Sequence, residues 1–202
     1  MVNSVLPDMC HALNYSPLYY PQLMAMSEDL RYPIGRYEPI IFSEKQLNDW
    51  KIDIQFLPQH LENAVTNLDA DQLQVPYRDN GWTIQQVVHH VADSHMNAYI
   101  RFKLALTEDN PTIKPYMEAL WADMADTQNV PINISITLLH ALHCRWMEVI
   151  SNIKLDEWER KVFHPESKKE MTLWYMLGMY AWHGLHHTAH VTSLSERMGW
   201  KS

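Results

Sequence analysis

Residues 172–198, TLWYMLGMYAWHGLHHTAHVTSLSERM, run without a proline. Thr172 is a capping residue, and Leu173, Met176, Tyr180, Val191 and Leu194 recur at helical spacing. The stretch therefore predicts a helix from Thr172 to near Met198. With His183 set at zero and each residue advanced by about 100°, His187 falls at about +40°, His190 at about −20° and His186 at about −60°. The apolar set occupies about +20° to +80° on the same wheel, so His183, His187 and His190 face the core and His186 flanks them. Two imidazoles at i and i+4 on an apolar face cannot readily both be charged, and a divalent cation resolves that conflict.

Upstream, the same periodicity recurs three times. Ser43 with Gln46 forms a capping-box pattern ahead of Leu47, Trp50, Ile54, Leu57, Leu61, Val65 and Leu68, which predicts a helix of about 25 residues bent near Pro58. Thr83 with Gln86 opens a second helix to about Thr107, closed by Asn110-Pro111. A third takes Ser135 to Ile153, with Ile136, Leu139, Leu142, Trp146, Val149 and Ile150 on one side. Four long helices imply an all-α four-helix bundle. Between the second and third lie Pro111, Pro115 and Pro131 with a short amphipathic piece from Met117 to Met124. A connection that long lets those two helices run parallel. Residues 156–171, DEWERKVFHPESKKEM, read as a polar looped excursion, with Lys168-Lys169-Glu170 a solvated loop.

Residues 1–30 carry Pro7, Pro17 and Pro21 and no periodicity, so they read as an irregular N-terminal arm, with the bundle domain over 31–202. Met24 and Met26, just ahead of SEDLRYPIGRYEP, are alternative starts for the working protein.

With 202 residues, 47% apolar and 20% charged, the chain has the balance of a globular domain. Its net charge of −8 gives it no general attraction to nucleic acid or anionic membrane. The two cysteines, Cys10 and Cys144, supply neither a disulfide framework nor a paired-thiolate metal site. The sequence has neither an apolar run long enough to span a bilayer nor a signal-peptide pattern, and the expected location is the cytoplasm. Seven of the twelve histidines crowd into two windows, at 89, 90, 95 and at 183, 186, 187, 190.

On the second helix the wheel separates the histidines. His90 borders an apolar arc of Ile84, Val87, Val91, Ala98 and Phe102, and it shares a polar stripe with Asp93, Ser94, Asn97 and Arg101. His89 points about 100° away and reads as exposed. His95 lies beyond the arc and reads as a satisfied structural histidine, whose substitution by alanine is expected to spare a metal. His90, His183 and His187 then offer three neutral nitrogens from two helices and leave coordination positions open, the arrangement of a catalytic rather than a structural metal. Zinc and nickel both suit imidazole. His190 and Asp93 are candidates to orient the ligands or a bound water. Without a CxxCH motif, haem attachment is disfavoured.

The blocks YRDNGWTIQQVVHHVADSHMNAYIRFKLALTEDNPTIKPY (77–116) and YAWHGLHHTAHVTSLSERMGW (180–200), with RYPIGRYEP at Arg31, resemble the YfiT-like branch of the DinB superfamily, described as metal-dependent hydrolases and as bacillithiol transferases. The resemblance covers about 170 residues and implies a four-helix bundle. It also implies a metal held by the second histidine of the HH pair and by two histidines at i and i+4 of the last helix, which here are His90, His183 and His187. Leu185 departs from the pattern, where a further histidine is expected, and points away from the stripe. The resemblance implies transfer of a low-molecular-weight thiol, bacillithiol-like, to a small electrophile, with the metal lowering the thiol pKa. Asn97, Arg101 and Arg145 are then candidate contacts for an anionic thiol. Hydrolysis by activated water would use the same ligands. A non-catalytic metal-binding stress protein is the reading from another class, because fold membership does not fix activity. A homodimer is expected from the resemblance alone.

Overall fold

The computed structural model describes residues 29–38 and 41–200. The expected arm at residues 1–30 lies outside them up to position 28. Four long helices dominate, as the periodicity predicts: α1 (Glu44–Val65), α3 (Ile84–Thr107), α6 (Ile132–Ser151) and α7 (Leu173–Met198). Short helices α2 (Ala70–Leu73), α4 (Glu118–Ala122) and α5 (Ala125–Asn129) fill the connections. The helix starts are chemically fixed. Ser43 Oγ accepts from the Gln46 amide at 3.2 Å, and Thr83 Oγ1 accepts from Gln86 N at 3.2 Å while Gln86 Oε1 accepts in return from Thr83 N at 2.9 Å. Thr172 Oγ1 accepts from Tyr175 N. Gly199, at φ +67°, ends α7 in the left-handed conformation that glycine adopts without strain. α6 begins three residues earlier than expected, directly after Pro131, whose fixed φ suits a helix start.

Side-chain pairings give the helix directions. Along α3 and α6, His89 meets Ser135, His95 meets His143 and Phe102 meets Trp146, so the two run parallel. Along α1 and α7, Trp50 meets Trp174 and Leu57 abuts Gly184, again parallel. α1 opposes α6 through Ile54 with His143 and Glu62 with His140, and α3 opposes α7 through His90 with His187 and Arg101 with Tyr180. The bundle is closed by two parallel pairs set antiparallel to each other, which the long α3–α6 connection permits.

The polar excursion is more ordered than expected. It forms a 3-10 turn (Leu155–Glu159) and a hairpin of β1 (Lys161–His164) and β2 (Lys169–Thr172), with Lys168 at the turn at φ +54°. Trp158 and Val162 are buried and anchor it, and the Phe163 amide and carbonyl bond Pro111 O and Ile113 N at 2.9 and 3.0 Å. Lys169 and Glu170 are thus strand residues rather than loop, although both stay exposed. Four-residue strands with one fully buried apolar side chain are too short to print a period on the sequence.

Two apolar clusters fill the bundle. One centres on Trp50, Ile54, Phe102, Trp146, Ile150, Leu173 and Met176, the other on Leu57, Leu61, Ile84, Val87, Val91, Leu139 and Val191. Their positions along α3, α6 and α7 leave a middle band that holds His95, His143, His183 and His187, with His90 at its edge among the residues of the second cluster.

Candidate metal centre

α3 and α7 bring the three sequence-selected histidines together. One ring nitrogen from each of His90, His183 and His187 lies within 4.8 Å of the others, and the Nε2 atoms of His90 and His183 are 3.1 Å apart. His90 and His187 are buried, while His183 is partly exposed and lines a cleft of about 690 Å³. Burial holds His90 neutral with its pKa pushed down to about 4. Burial, and then the neighbouring histidines, push His183 and His187 well below the ordinary imidazole value. Neutral imidazoles are the form that ligates a metal.

A relay behind His187 sets its tautomer. The Arg31 carbonyl can only accept, so His190 Nε2, 3.3 Å away, carries the proton and His190 Nδ1 is a lone pair. His187 Nδ1, 3.4 Å from that lone pair, is then the donor, which leaves His187 Nε2 free for the cluster. The Tyr77 ring stacks on His190 at 3.8 Å, and Trp82 covers His90 at 4.6 Å. Sequence periodicity marks none of Arg31, Tyr77 or Trp82 as site residues, because none of the three lies on a helix and Arg31 acts through its backbone.

The other sequence candidates divide. Arg101 lines the cleft, with Nη1 donating to the Tyr180 hydroxyl at 2.7 Å and Nη2 to the Lys114 carbonyl at 3.2 Å. Ser94, Tyr116, Glu118 and the hairpin residues Lys169 and Met171 line it too. These last come from the connection and the excursion, where no period pointed to a site. Asn97 turns back on its own helix, donating to the Asp93 carbonyl at 2.9 Å. Asp93 is half-buried, and burial, then Asp126, push its carboxyl up to about 6. Arg145 is exposed, with its guanidinium 5.5 Å over the Tyr99 ring, and is absent from the cleft wall.

Two histidines differ from expectation. His89 is buried rather than exposed, its Nδ1 2.7 Å from Ser135 Oγ and its Nε2 3.0 Å from the Val130 carbonyl. α6 packs on the side of α3 that the wheel left to solvent. His95 is fully buried as a structural residue would be, yet only half satisfied: Nδ1 meets His143 Nε2 at 3.0 Å, and Nε2 has no partner.

No helix among the described residues is long and apolar enough to cross a membrane. The donor set fits a divalent cation: three neutral nitrogens converge, and one of them is fixed as a lone pair by an outer relay.

Residues 54–191 match the family model of the DinB superfamily. Over 175 residues the chain is 50% identical to proteins of Bacillus cereus and Bacillus anthracis named "Putative metal-dependent hydrolase", covering 85% of this chain and 99% of each relative. The solved structure of YfiT from Bacillus subtilis, described as a probable metal-dependent hydrolase with an unusual four-helix bundle topology, superposes with a TM-score of 0.83 at 46% identity, covering 85% of this chain and 99% of that one. On the match across its bundle and on its likeness to these relatives, the chain belongs to the DinB superfamily.

Proposed function

We propose that this chain is a metal-dependent hydrolase of small molecules, with His90, His183 and His187 holding one zinc or nickel ion. The observation that carries the reading is the convergence of three buried or half-buried neutral imidazoles, one of which, His183, lines a cleft, with no carboxylate or thiolate completing the group among the described residues. A cation bound there supplies Lewis acidity and lowers the pKa of a nucleophile, water above all, toward neutrality. The remaining work falls to the chain itself. His190 and the Arg31 carbonyl hold the His187 ring in register, and Trp82 shields His90 from solvent. Arg101, fixed by Tyr180 and Lys114, presents its remaining N–H groups to an anionic part of the substrate. Tyr180, Trp174 and Met179 supply apolar wall.

Thiol transfer is the second reading. A cleft of about 690 Å³ has room for a low-molecular-weight thiol beside an electrophile, with Arg101 as its anionic contact. Asn97 and Arg145 contribute to neither reading. A cytoplasmic setting goes with both.

The test incubates zinc- or nickel-loaded protein with activated esters and amides, and separately with a chromogenic electrophile plus a panel of small thiols. The reading predicts thiol-independent turnover that a chelator abolishes and added metal restores. It also predicts that Arg101→Met raises KM for anionic substrates about tenfold while leaving neutral ones near wild type. Turnover only with one thiol present would establish transfer instead. Metal binding without turnover across both panels would leave a non-catalytic metal-binding protein.

A further inference from the structure

Behind the three-histidine cluster, on the side away from His190, lies a second set of imidazoles that hydrolysis does not use. His143 Nδ1 is 2.6 Å from the Ile54 carbonyl, and His95 Nδ1 is 3.0 Å from His143 Nε2. Both rings are buried, at 2% and 0% exposure. The Ile54 carbonyl has no proton to give, so His143 carries its proton on Nδ1 and accepts at Nε2. His95 must then donate from Nδ1, which makes its Nε2 a bare lone pair. That atom is buried with no partner. His183 Nδ1 is also buried without a partner. When His183 Nε2 faces the cluster as a lone pair, Nδ1 bears the proton and is an orphaned donor. An orphaned acceptor and an orphaned donor thus sit on neighbouring rings, whose centroids are 5.8 Å apart at 38°. The bonded pair His95 and His143 has centroids 5.0 Å apart, so the His95 and His183 rings are only 0.8 Å farther apart than a hydrogen-bonded pair in the same core.

We infer that His95 is a positioning residue for His183, its Nε2 accepting the His183 Nδ1 proton, and that Ile54, His143 and His95 form a relay that fixes the His183 tautomer as Arg31 and His190 fix that of His187. The inference rests on the reading of His183 as a metal ligand. It revises the expectation that replacing His95 spares the metal. Leaving two buried ring nitrogens unpaired is a standing penalty that this contact removes. Each α7 ligand then has its own backbone carbonyl, one histidine away for His187 and two away for His183.

The test uses full-length protein and zinc. Chelator competition gives the zinc dissociation constant of wild type, His95→Leu and His95→Gln, while circular dichroism and melting of the zinc-free forms check folding. His95→Leu removes the acceptor and is expected to bind zinc about 10–100-fold more weakly, and His95→Gln, which returns an oxygen acceptor, to recover most of that loss. Ring-nitrogen NMR of wild type, zinc-free and loaded, is expected to show His143, His95 and His183 all protonated on Nδ1. Wild-type affinity in His95→Leu, or a proton on His95 Nε2, would overturn the inference. Absence of zinc binding by wild type would instead sink the three-histidine reading, and the tautomers of the zinc-free protein would still decide the relay. Should His95→Leu fail to fold, those tautomers decide alone.

Discussion

At His89 both ring nitrogens are engaged, by Ser135 and by the Val130 carbonyl, and the ring ties the start of α6 to α3. Its neighbour His90 has only imidazoles at its Nε2 and the Trp82 ring above it. Adjacent residues on one helix thus serve stability and site separately. His89→Ala is expected to cost about 1–3 kcal/mol in urea unfolding, because it empties a buried site and leaves half-buried partners unpaired, while the metal stoichiometry stays at wild type. An unchanged midpoint would show that the two contacts contribute nothing. The sequence made His90, His183 and His187 legible because each lies on or beside an apolar arc of its own helix, which a wheel displays. It hid the burial of His89 because a wheel shows one helix and not the second neighbour that α6 provides. Arg145 lies on the exposed face of α6 against Tyr99 and outside the cleft wall, a placement that periodicity within α6 does not show.

Close contact between α1 and α7 depends on two glycines. A Cβ at Gly178 would lie 2.6 Å from Trp50 Cζ2, and one at Gly184 would lie 2.6 Å from Leu57 Cδ2. Trp50 is stacked on Trp174 within 3° and cannot easily yield, whereas Leu57 ends in a flexible branch. Gly178→Ala is therefore expected to destabilise by about 1–2 kcal/mol net, the overpacking exceeding the roughly 1 kcal/mol gained in helix propensity. A denaturant midpoint moved downward with an unchanged slope checks this; a stabilised variant would contradict it. Capping residues Ser43, Thr83 and Thr172 were readable, since each leaves a local signature. The hairpin was not, because its order comes from Trp158 and Val162 docking into the core and from Phe163 pairing with the Pro111–Ile113 segment, all tertiary effects.

Across the molecule, a layer of neutral imidazoles divides two apolar clusters, and this makes the fold sensitive to acid. Among the described residues nine histidines, at 60, 89, 90, 95, 143, 183, 186, 187 and 190, have their pKa lowered chiefly by burial. Each has a folded pKa below its unfolded value of about 6.5, so below that pH the unfolded chain binds more protons and stability falls with acidification. For His90 and His143 the loss develops as pH drops from about 6.5 toward the folded value of about 4. Asp53 and Asp93, raised to about 6 by burial, and Glu118, also raised, act in the opposite sense but are three against nine. The zinc-free protein is expected to melt at constant temperature above about pH 7 and to lose about 10 °C or more by pH 5. A flat profile would show that the imidazoles are not buried as described. Topology was partly legible at this scale: the long proline-rich connection permitted the parallel α3–α6 pair, but the parallel α1–α7 pair follows only from contacts between residues far apart in the chain.

The proposed metal site joins His90, His183 and His187 around one ion. Its most direct test is elemental analysis of wild type, His90→Ala, His183→Ala and His187→Ala after zinc loading and exhaustive dialysis, with helical content checked by circular dichroism. One ion per wild-type chain, loss of stoichiometric metal in all three variants and near-native helicity throughout are expected. Metal-free wild type, or equal retention in the variants, would contradict that assignment.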